Sequence, residues 1–419
     1  METCTLDGRV YRLHAISLPP SDGEQATISC LLNPDLIPLL PNPLPPTCPP
    51  PSTSTSNRAS PPNFSILQTA HKGAGIFAAR PIEAGELIMR EHPALILPTG
   101  KFPKEVYDAL ADRLPEKRRK ELLAMANARS KEECESEVEG IVRTNALMLE
   151  LDVKGVIPED RREVYGGVYP FVNRANHSCG PNAAIKWDLA SLTISLYALR
   201  DIAEGEEICK TYVNPALPRA TRMSILQKNY RFRCDCPWCN IRRVPCPNPD
   251  QGSESAGTEE DFTPSELAQI ASSDADRAAL GSWIYTHPGY TKWWSDIARP
   301  DSLVISSHLS ALSLIEKEGL HGLQNLFVEE IAMCYAMLGS LEGFREWGTR
   351  VVKLCKVEDP DMARRFEEWL EDPERRVKRW GWRKKQREQQ SGKKRTASAD
   401  DDEAMEGVGS FLFPDEDSD

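Results

Sequence analysis

The sequence predicts an α+β fold in which a β-rich domain with a helical insert precedes an all-α C-terminal domain. Residues 64–98 and 183–212 contain short apolar and β-branched runs broken by Gly and Pro, which is typical of strands and turns. Between them, residues 104–151 space apolar residues three and four apart, as amphipathic helices do. From residue 265 to about residue 382 the pattern is helical again, with apolar faces suited to antiparallel helix pairs.

Composition predicts a soluble, intracellular protein. The 419 residues are 40% hydrophobic, which is enough for sizeable cores. No run approaches the roughly 18 apolar residues of a membrane span, and the N-terminus lacks a signal-peptide pattern. The net charge of −12 argues against nucleic-acid binding through the overall field. Residues 375–395 are nonetheless strongly basic, as in a nuclear localisation signal, a nucleic-acid contact or a solvated helix end.

Changes in composition predict the domain boundaries. Prolines crowd residues 35–62, and a polar Gly/Pro/Ser-rich stretch follows residue 244. The C-terminal helices are consistent with tetratricopeptide-like hairpins or with an ordinary bundle. The expected units are a largely disordered N-terminal region (1–63), the β-rich domain (64–215, helical insert about 100–165), a cysteine segment (216–244), a linker (245–264), the helical domain (265–382) and a charged, disordered tail (383–419).

A cysteine cluster predicts a metal site. Cys234, Cys236 and Cys239 form C-x-C-x-x-C, a turn that aims three thiolates at one point, as zinc requires. The fourth ligand is open among Cys246, Cys179, Cys209 and His177. We expect a structural rather than a catalytic zinc, because three thiolates blunt its Lewis acidity.

Two further motifs have little specificity alone. His177 and Cys179 in "NRANHSCGPNAAIKW" lack the orienting third group of a nucleophilic pair, so we do not expect them to be catalytic partners. The glycines of "KGAGIFAAR" permit close backbone approach to a ligand, but an ordinary turn would use them as well.

One internal similarity connects the two β-rich regions. "ARPIEAGELI" at 79–88 and "LRDIAEGEEI" at 199–208 share the pattern Arg-x-Ile-x-x-Gly-Glu-x-Ile, which predicts a strand, a turn and a return strand. Coincident turn chemistry is the alternative explanation.

Taken in order, "KGAGIFAARPIEAGE", "NRANHSCGPNAAI", "ALRDIAEGEEICKTY" and "RFRCDCPWC" resemble the SET domain of protein lysine methyltransferases with its post-SET segment. N-H-S-C-x-P-N is the most specific of these matches. The nearest groups are the SET-and-MYND proteins and fungal SET proteins, whose helical C-terminal domain also suits residues 265–382. The resemblance covers Phe64 to Asn240, but the MYND finger is missing, so no role of that finger is transferred.

The resemblance implies S-adenosyl-L-methionine as cofactor and assigns roles to matching residues. In the SET-and-MYND group the cysteine of N-H-S-C is the fourth ligand of a structural Zn²⁺, so Cys179 takes precedence over Cys246. Tyr212 closes the active site and Tyr230 lines the lysine channel, and both are expected to be catalytic. The implied zinc ligands are Cys179, Cys234, Cys236 and Cys239, and the implied cofactor-binding residues are Lys72, Gly73, Gly75, Asn145, Asn176, His177 and Phe232.

The expected function is protein-lysine N-methylation of a histone or another protein in the nucleus or the cytoplasm. The negative net charge would attract basic peptides, and the helical C-terminal domain offers a surface for partner peptides. The expectation includes no membrane partner and no direct nucleic-acid binding. Two alternatives remain open: a SET fold kept for protein interactions with little catalysis, and a zinc-stabilised scaffold without a cofactor.

Overall fold

The computed structural model describes residues 2–18, 26–41, 44, 63–69, 72–151, 163–242 and 262–397. Within these ranges the strands form sheets of six, four and three strands. The six-stranded sheet has the order β1-β2-β3-β7-β9-β8. Its members are β1 (Thr3–Leu6), β2 (Arg9–Ser17), β3 (Thr27–Leu32), β7 (Leu95–Pro98), β9 (Tyr165–Val168) and β8 (Leu147–Leu149).

The two smaller sheets carry most of the motifs quoted in the sequence analysis. The four-stranded sheet has the order β10-β13-β5-β4, and β10 runs parallel to β13. The three-stranded sheet, β11-β12-β6, is antiparallel. The four-stranded sheet consists of β4 (Phe64–Gln68), β5 (Ala74–Ala78), β10 (Asn176–His177) and β13 (Glu207–Lys210). The three-stranded sheet consists of β6 (Leu87–Glu91), β11 (Ala183–Asp188) and β12 (Thr193–Ala198).

The N-terminal region corrects an expectation. Residues 1–63 were expected to be largely disordered, but those described at 2–18 and 26–41 supply three strands, and β3 pairs with β7. The physical reason is burial: in "TISCLL", Leu31 faces the core of the helical insert, whereas Cys30 and Leu32 face the core between the sheets. An apolar run buried on both faces stabilises a central strand. Residues 19–25, 42–43 and 45–62 lie outside the described part.

The internal repeat forms a pair of matched turns. Ile82 and Ile202 exchange both backbone hydrogen bonds, at 2.9 and 2.8 Å, so the two segments bridge each other antiparallel. In each segment the arginine forms an ion pair with the glutamate six residues later, Arg80 with Glu86 and Arg200 with Glu206. The glycines before these glutamates have φ of +76° and +79°, a left-handed conformation that favours glycine. The shared pattern is therefore a structural repeat rather than a coincidence.

The helical insert packs on the outer face of the six-stranded sheet. It contains α1 (Lys104–Asp112), α2 (Glu116–Leu123) and α3 (Glu137–Asn145). Tyr107, Leu110 and Ile141 are almost fully buried against residues of the sheet. The chain then returns to the sheet through β8 and β9, so the helices end before the expected limit near 165. Residues 152–162 of the expected insert lie outside the described part.

The C-terminal region is helical, and its helices from α7 to α10 pack on one another in chain order. Phe344, Phe366 and Trp293 fill its core. None of the described helices is long and apolar enough to cross a membrane. The members are α5 (Pro264–Thr286), α6 (Tyr290–Trp293), α7 (Leu303–Glu318), α8 (Gln324–Leu338), α9 (Leu341–Glu358), α10 (Pro360–Glu371), α11 (Pro373–Arg376) and α12 (Trp382–Ala397), and α4 (Arg219–Tyr230) precedes them.

The start of the expected disordered tail is also corrected. Residues 383–397 belong to α12, and the side chain of Arg383 in its first turn is fully buried. Its guanidinium lies 4.0 Å from the Trp293 ring centroid and donates to Asp301 at 2.9 Å. Arg387 also donates to Asp301. Part of the basic run therefore holds the helical domain together. Residues 398–419 lie outside the described part.

A buried carboxyl group fixes the turn that leads into β10. Glu91 at the end of β6 is 3% exposed and accepts hydrogen bonds from the backbone N–H groups of Phe171 and Val172 at 3.1 and 2.8 Å. Burial raises the pKa of Glu91 from 4.5 to about 7. The turn Val172–Arg174 precedes Asn176 and His177 by one residue. Glu91 therefore positions the segment that enters the candidate site.

Replacing Glu91 should change how stability depends on pH. Because the folded-state pKa is raised, the folded chain binds more protons than the unfolded chain between pH 4.5 and about 7, and this group's contribution to stability falls as pH rises through that window. Glu91→Gln does not titrate. The stability of the variant relative to the wild type should rise by roughly 3 kcal/mol across the window. Urea unfolding at pH 4.5 and 7.5 measures this difference.

The exposed Glu105→Gln is the matched control and should show no such change. An equal difference between wild type and Glu91→Gln at both pH values would contradict the assignment.

Candidate functional site

A cavity of about 760 Å³ lies where segments from distant parts of the chain meet. They are the loop before β5, the end of α3, the strand β10, the residues after β13 and the end of α4. Most of the residues that the sequence singled out are brought together here. Those that line the cavity are Lys72, Gly73, Asn145, Asn176, His177, Tyr212, Tyr230 and Phe232.

The two glycines of the loop are required for different reasons. Gly73 has φ of +67°, so it lies in the left-handed region that a side chain would strain. Gly75, within β5, is crowded: an added Cβ would lie 2.9 Å from Glu207 Oε1 and 3.0 Å from Asn176 Nδ2. Gly75 therefore leaves room for the hydrogen bond between Asn176 and Glu207, which measures 2.8 Å.

Lys72 is held at the rim of the cavity by two carboxylates. Its amine lies 3.2 Å from Asp235 Oδ1 and 3.5 Å from Glu207 Oε2. Burial lowers the pKa of Lys72, but these carboxylates raise it above its ordinary value overall. Lys72 thus connects the glycine loop with β13 and with the cysteine segment.

Asn145, the last residue of α3, lines the cavity. Its side-chain amide donates to the carbonyls of Ala126 at 2.7 Å and Ile141 at 2.8 Å. Its own backbone carbonyl accepts from the Asn173 side chain at 2.7 Å. Both amide hydrogens are therefore used, and the amide oxygen is the remaining polar group of this side chain.

His177 is neutral, and its hydrogen bonds define its tautomer. Nδ1 accepts from the Tyr212 backbone N–H at 3.0 Å, and Nε2 lies 3.3 Å from Cys179 Sγ. Burial lowers the pKa of His177 to about 4. The proton therefore belongs on Nε2, which donates to the sulfur. The two residues were not expected to be catalytic partners, and their contact follows from a spacing of two residues, which points both side chains to the same side.

Three aromatic rings form one wall of the cavity. The ring centroid of Tyr212 lies 4.9 Å from that of Tyr230 and 6.3 Å from that of Phe232. The Tyr212 hydroxyl donates to the Ala175 carbonyl at 2.9 Å, so its oxygen can still accept. Burial raises the pKa of Tyr212 well above its ordinary value, which keeps the hydroxyl protonated.

Beside this wall the four expected cysteines cluster. Cys179, Cys234, Cys236 and Cys239 are buried, and their Sγ atoms all lie within 4.8 Å of one another. Tetrahedral zinc with bonds of about 2.3 Å would space sulfurs by roughly 3.8 Å, and the Cys179 and Cys239 sulfurs are 3.5 Å apart. Among the described candidates for the fourth ligand, Cys179 is therefore in place, whereas Cys209 and His177 are not in the group. Cys246 lies outside the described part.

Two buried arginines connect the cluster to its surroundings. Arg222 of α4 donates from Nε to Cys179 Sγ at 3.2 Å. Arg277 of α5 donates to the Cys179 carbonyl at 2.9 Å and forms an ion pair with Glu318 at 2.9 Å. Both arginines have 0% exposure. Such positive groups offset the negative charge that four thiolates would place in a buried site.

Trp238 also joins the cysteine segment to the helical domain. Its indole ring packs so closely on Gly180 and Gly319 that a Cβ at either glycine would collide with it. The indole N–H donates to the Lys317 carbonyl at 3.2 Å. The end of α7 therefore lies directly against the loop that carries Cys179.

Sequence reasoning missed several residues of the site. Glu207 and Asp235 hold Lys72, and although both stand within quoted motifs, in "EGEEI" and "CDC", neither was singled out. Lys210 also lines the cavity, and its amine lies 4.3 Å from the Tyr212 ring centroid. A signal for Lys210 did exist: it is a lone cation in the strand "EICK", which the structure buries.

Comparison with known proteins finds sequences similar to this part of the chain. Residues 73–213 match the family model described as SET domain. Histone-lysine N-methyltransferase set5 of Schizosaccharomyces pombe is 27% identical over 178 residues, which are 42% of this chain and 50% of that protein. Protein-lysine N-trimethyltransferase SMYD5 of Gallus gallus is 36% identical over 99 residues, 23% of this chain and 24% of that protein.

Further matches are shorter. Histone-lysine N-methyltransferase SMYD3 of Homo sapiens is 38% identical over 83 residues, 20% of this chain and 19% of that protein. A crystal structure of the methyltransferase domain of human histone-lysine N-methyltransferase SETMAR matches with a TM-score of 0.21 at 16% identity, over 36% of this chain and 44% of that one, which is too low to bear on the fold. The chain spans at most half the length of the three curated relatives named here.

Proposed function

Because residues 73–213 match the SET domain model and the similar curated proteins are named lysine methyltransferases, we propose that this protein is an S-adenosyl-L-methionine-dependent protein-lysine N-methyltransferase. The observation that carries the proposal is the convergence, in one cavity, of the glycine loop, Asn176, His177 and the three aromatic rings. The substrate is a lysine side chain of a histone or of another protein.

The residues of the cavity fit the cofactor. When bound, S-adenosyl-L-methionine supplies an electrophilic methyl group on a sulfonium. The backbone at Lys72 and Gly73, the Asn145 amide oxygen and the Phe232 ring would hold it. The side chains of Asn176 and His177 are used by Glu207, Tyr212 and Cys179, so we assign their cofactor contacts to the backbone.

The aromatic wall would prepare the substrate lysine. The ordinary pKa of a lysine amine is about 10.4, and only the neutral amine has a lone pair that can attack a methyl group. Burial between Tyr212 and Tyr230 would favour that neutral form. The Tyr212 oxygen would help to align the amine, because its hydroxyl hydrogen already donates to Ala175. Both tyrosines are therefore proposed as catalytic.

The four-cysteine cluster would hold a structural Zn²⁺ of a post-SET segment. Four buried thiols at this spacing match the ligand set of closed zinc sites, which leave no position open for chemistry. The zinc would fix Tyr230 and Phe232, because Cys234 follows Phe232 by two residues.

Loss of one ligand should release the metal. Cys179→Ser should lower the zinc content of the purified protein from about one to well below one ion per chain, because three thiolates close the site less tightly. Mass spectrometry of metal content measures this, and limited proteolysis after Tyr230 reports on the loosened segment. Cys246→Ser, outside the described cluster, should keep its zinc. Full zinc content in Cys179→Ser would contradict the assignment.

Methyl transfer itself is tested with labelled cofactor. The wild type, incubated with tritiated S-adenosyl-L-methionine and a protein and peptide array, should label lysine residues. Tyr212→Phe should label at least about tenfold less, because positioned polar groups in active sites contribute factors of this size or more. Tyr285→Phe, 82% exposed on α5, should label as the wild type does.

Equal labelling by Tyr212→Phe would contradict the role of that hydroxyl. Cofactor binding without any labelling would contradict the enzymatic proposal.

A further inference from the structure

Lys210 is a lysine that the proposed roles leave unexplained. It is the last residue of β13 and is 5% exposed, yet it lines the same cavity as Tyr212 and Tyr230. Its amine lies 4.3 Å from the Tyr212 ring centroid. The amine is therefore within the chamber in which the substrate lysine would be held.

The surroundings of Lys210 do not compensate a positive charge. None of the described carboxylates forms an ion pair with its amine, and burial lowers its pKa to about 8. The face of the Tyr212 ring is the one favourable contact that the described residues give it. The titratable and charged groups on the elements around it are Glu207 and Cys209 on β13, His177 on β10, Tyr230 at the end of α4, and Lys72, Asp235, Arg174, Arg231 and Arg233 on the cavity lining.

Binding of cofactor and substrate would make a positive charge on Lys210 still less favourable. A sulfonium cofactor and a substrate ammonium bring two positive charges, and a protonated Lys210 would add a third in a site of low dielectric constant. A neutral Lys210 avoids this repulsion. If it then takes one proton from the substrate, cofactor, substrate and Lys210 together carry two positive charges instead of three, in addition to those of Lys72, Arg174, Arg231 and Arg233 on the lining.

We propose that Lys210 is the proton acceptor for the substrate lysine, an inference that rests on the proposed methyltransferase function. The substrate ammonium gives its proton to the Lys210 amine and becomes a neutral amine. The nitrogen lone pair of that amine then forms the bond to the methyl carbon while the carbon–sulfur bond breaks, and the electron pair of that bond stays on sulfur. The product is a methylammonium, and Lys210 returns its proton to solvent after product release.

The first test is the pH dependence of kcat in Lys210→Met, which keeps the length and apolar stem of the side chain. In the wild type kcat should rise with pH and level off near pH 8. In the variant the substrate must lose its proton unaided, so the rise should move upward by roughly one to two pH units, because the ordinary lysine pKa of about 10.4 is only partly lowered by burial between the tyrosines. Activity at pH 7.5 should fall at least about tenfold and recover at high pH. Lys228→Met, exposed on α4, should keep the wild-type profile.

A second measurement needs no catalytic activity, and its main comparison uses the wild type alone. S-adenosyl-L-methionine and S-adenosyl-L-homocysteine differ by one methyl group and one positive charge. Calorimetry on the wild type should show that the affinity for the charged ligand, relative to the neutral one, rises at least about threefold from pH 6.5 to pH 8.5 as Lys210 loses its proton. In Lys210→Met the ratio should not depend on pH.

The outcomes separate the two proposals. A wild type that methylates lysine, with the same pH profile in Lys210→Met, overturns the role of Lys210 and leaves the proposed function standing. An affinity ratio that does not change with pH in the wild type also overturns it. A wild type that binds cofactor but labels no lysine overturns the proposed function, and the role of Lys210 with it.

Discussion

The four-cysteine cluster is the constraint on which the rest of the site depends. Cys179 comes from the loop after β10, and Cys234, Cys236 and Cys239 come from the segment after α4. These two segments also carry neighbouring parts of the cavity lining, with His177 on one and Tyr230 and Phe232 on the other; the ring centroids of His177 and Phe232 are 6.1 Å apart. Any bond that joins the four sulfurs therefore fixes how these two parts of the lining meet. The left-handed backbone at Arg231, with φ of +60°, turns the chain from α4 toward the cluster.

The cluster also couples the cavity to the helical domain. Arg277 reaches from α5 to the Cys179 carbonyl, and Trp238 is packed between Gly180 and Gly319. Gln324 at the start of α8 adds a hydrogen bond to the Leu199 carbonyl at 2.7 Å. Buried arginine contacts of this kind are costly to break, because each would leave a charge without a partner. The helical domain is thus part of the support of the cavity, in addition to any surface that it offers to partners.

The sequence predicted which residues meet at the cavity better than it predicted the limits of the fold. Motif residues such as Gly73, Asn176 and Tyr212 converge because short local patterns determine the strand ends and turns that carry them. Spacing alone left the fourth cysteine open, since partners in a metal site are set by tertiary structure, and only the family resemblance favoured Cys179. The N-terminal strands could not be assigned from short β-like runs beside a proline-rich stretch, because their burial depends on strands distant in the sequence.

The burial of charged residues was the other feature that the sequence predicted poorly. Arg383 looked like part of a solvated tail, but Asp301 and Trp293, far away in the sequence, bury it. Lys210 and Glu91 are likewise buried by tertiary packing, and only Lys210, a lone cation in its strand, gave a local signal of this. Net charge is a similarly coarse guide, because −12 describes the whole chain whereas several lysines and arginines line the cavity.

If a bound metal in the cysteine cluster holds the proposed cofactor cavity in shape, removing the metal should weaken cofactor binding. This is measured as the affinity for S-adenosyl-L-homocysteine before and after zinc is removed by a chelator under reducing conditions, with the metal content determined in each sample. The affinity should fall at least about tenfold on removal and return when zinc is added back. Unchanged affinity in protein shown to be free of metal would contradict this prediction.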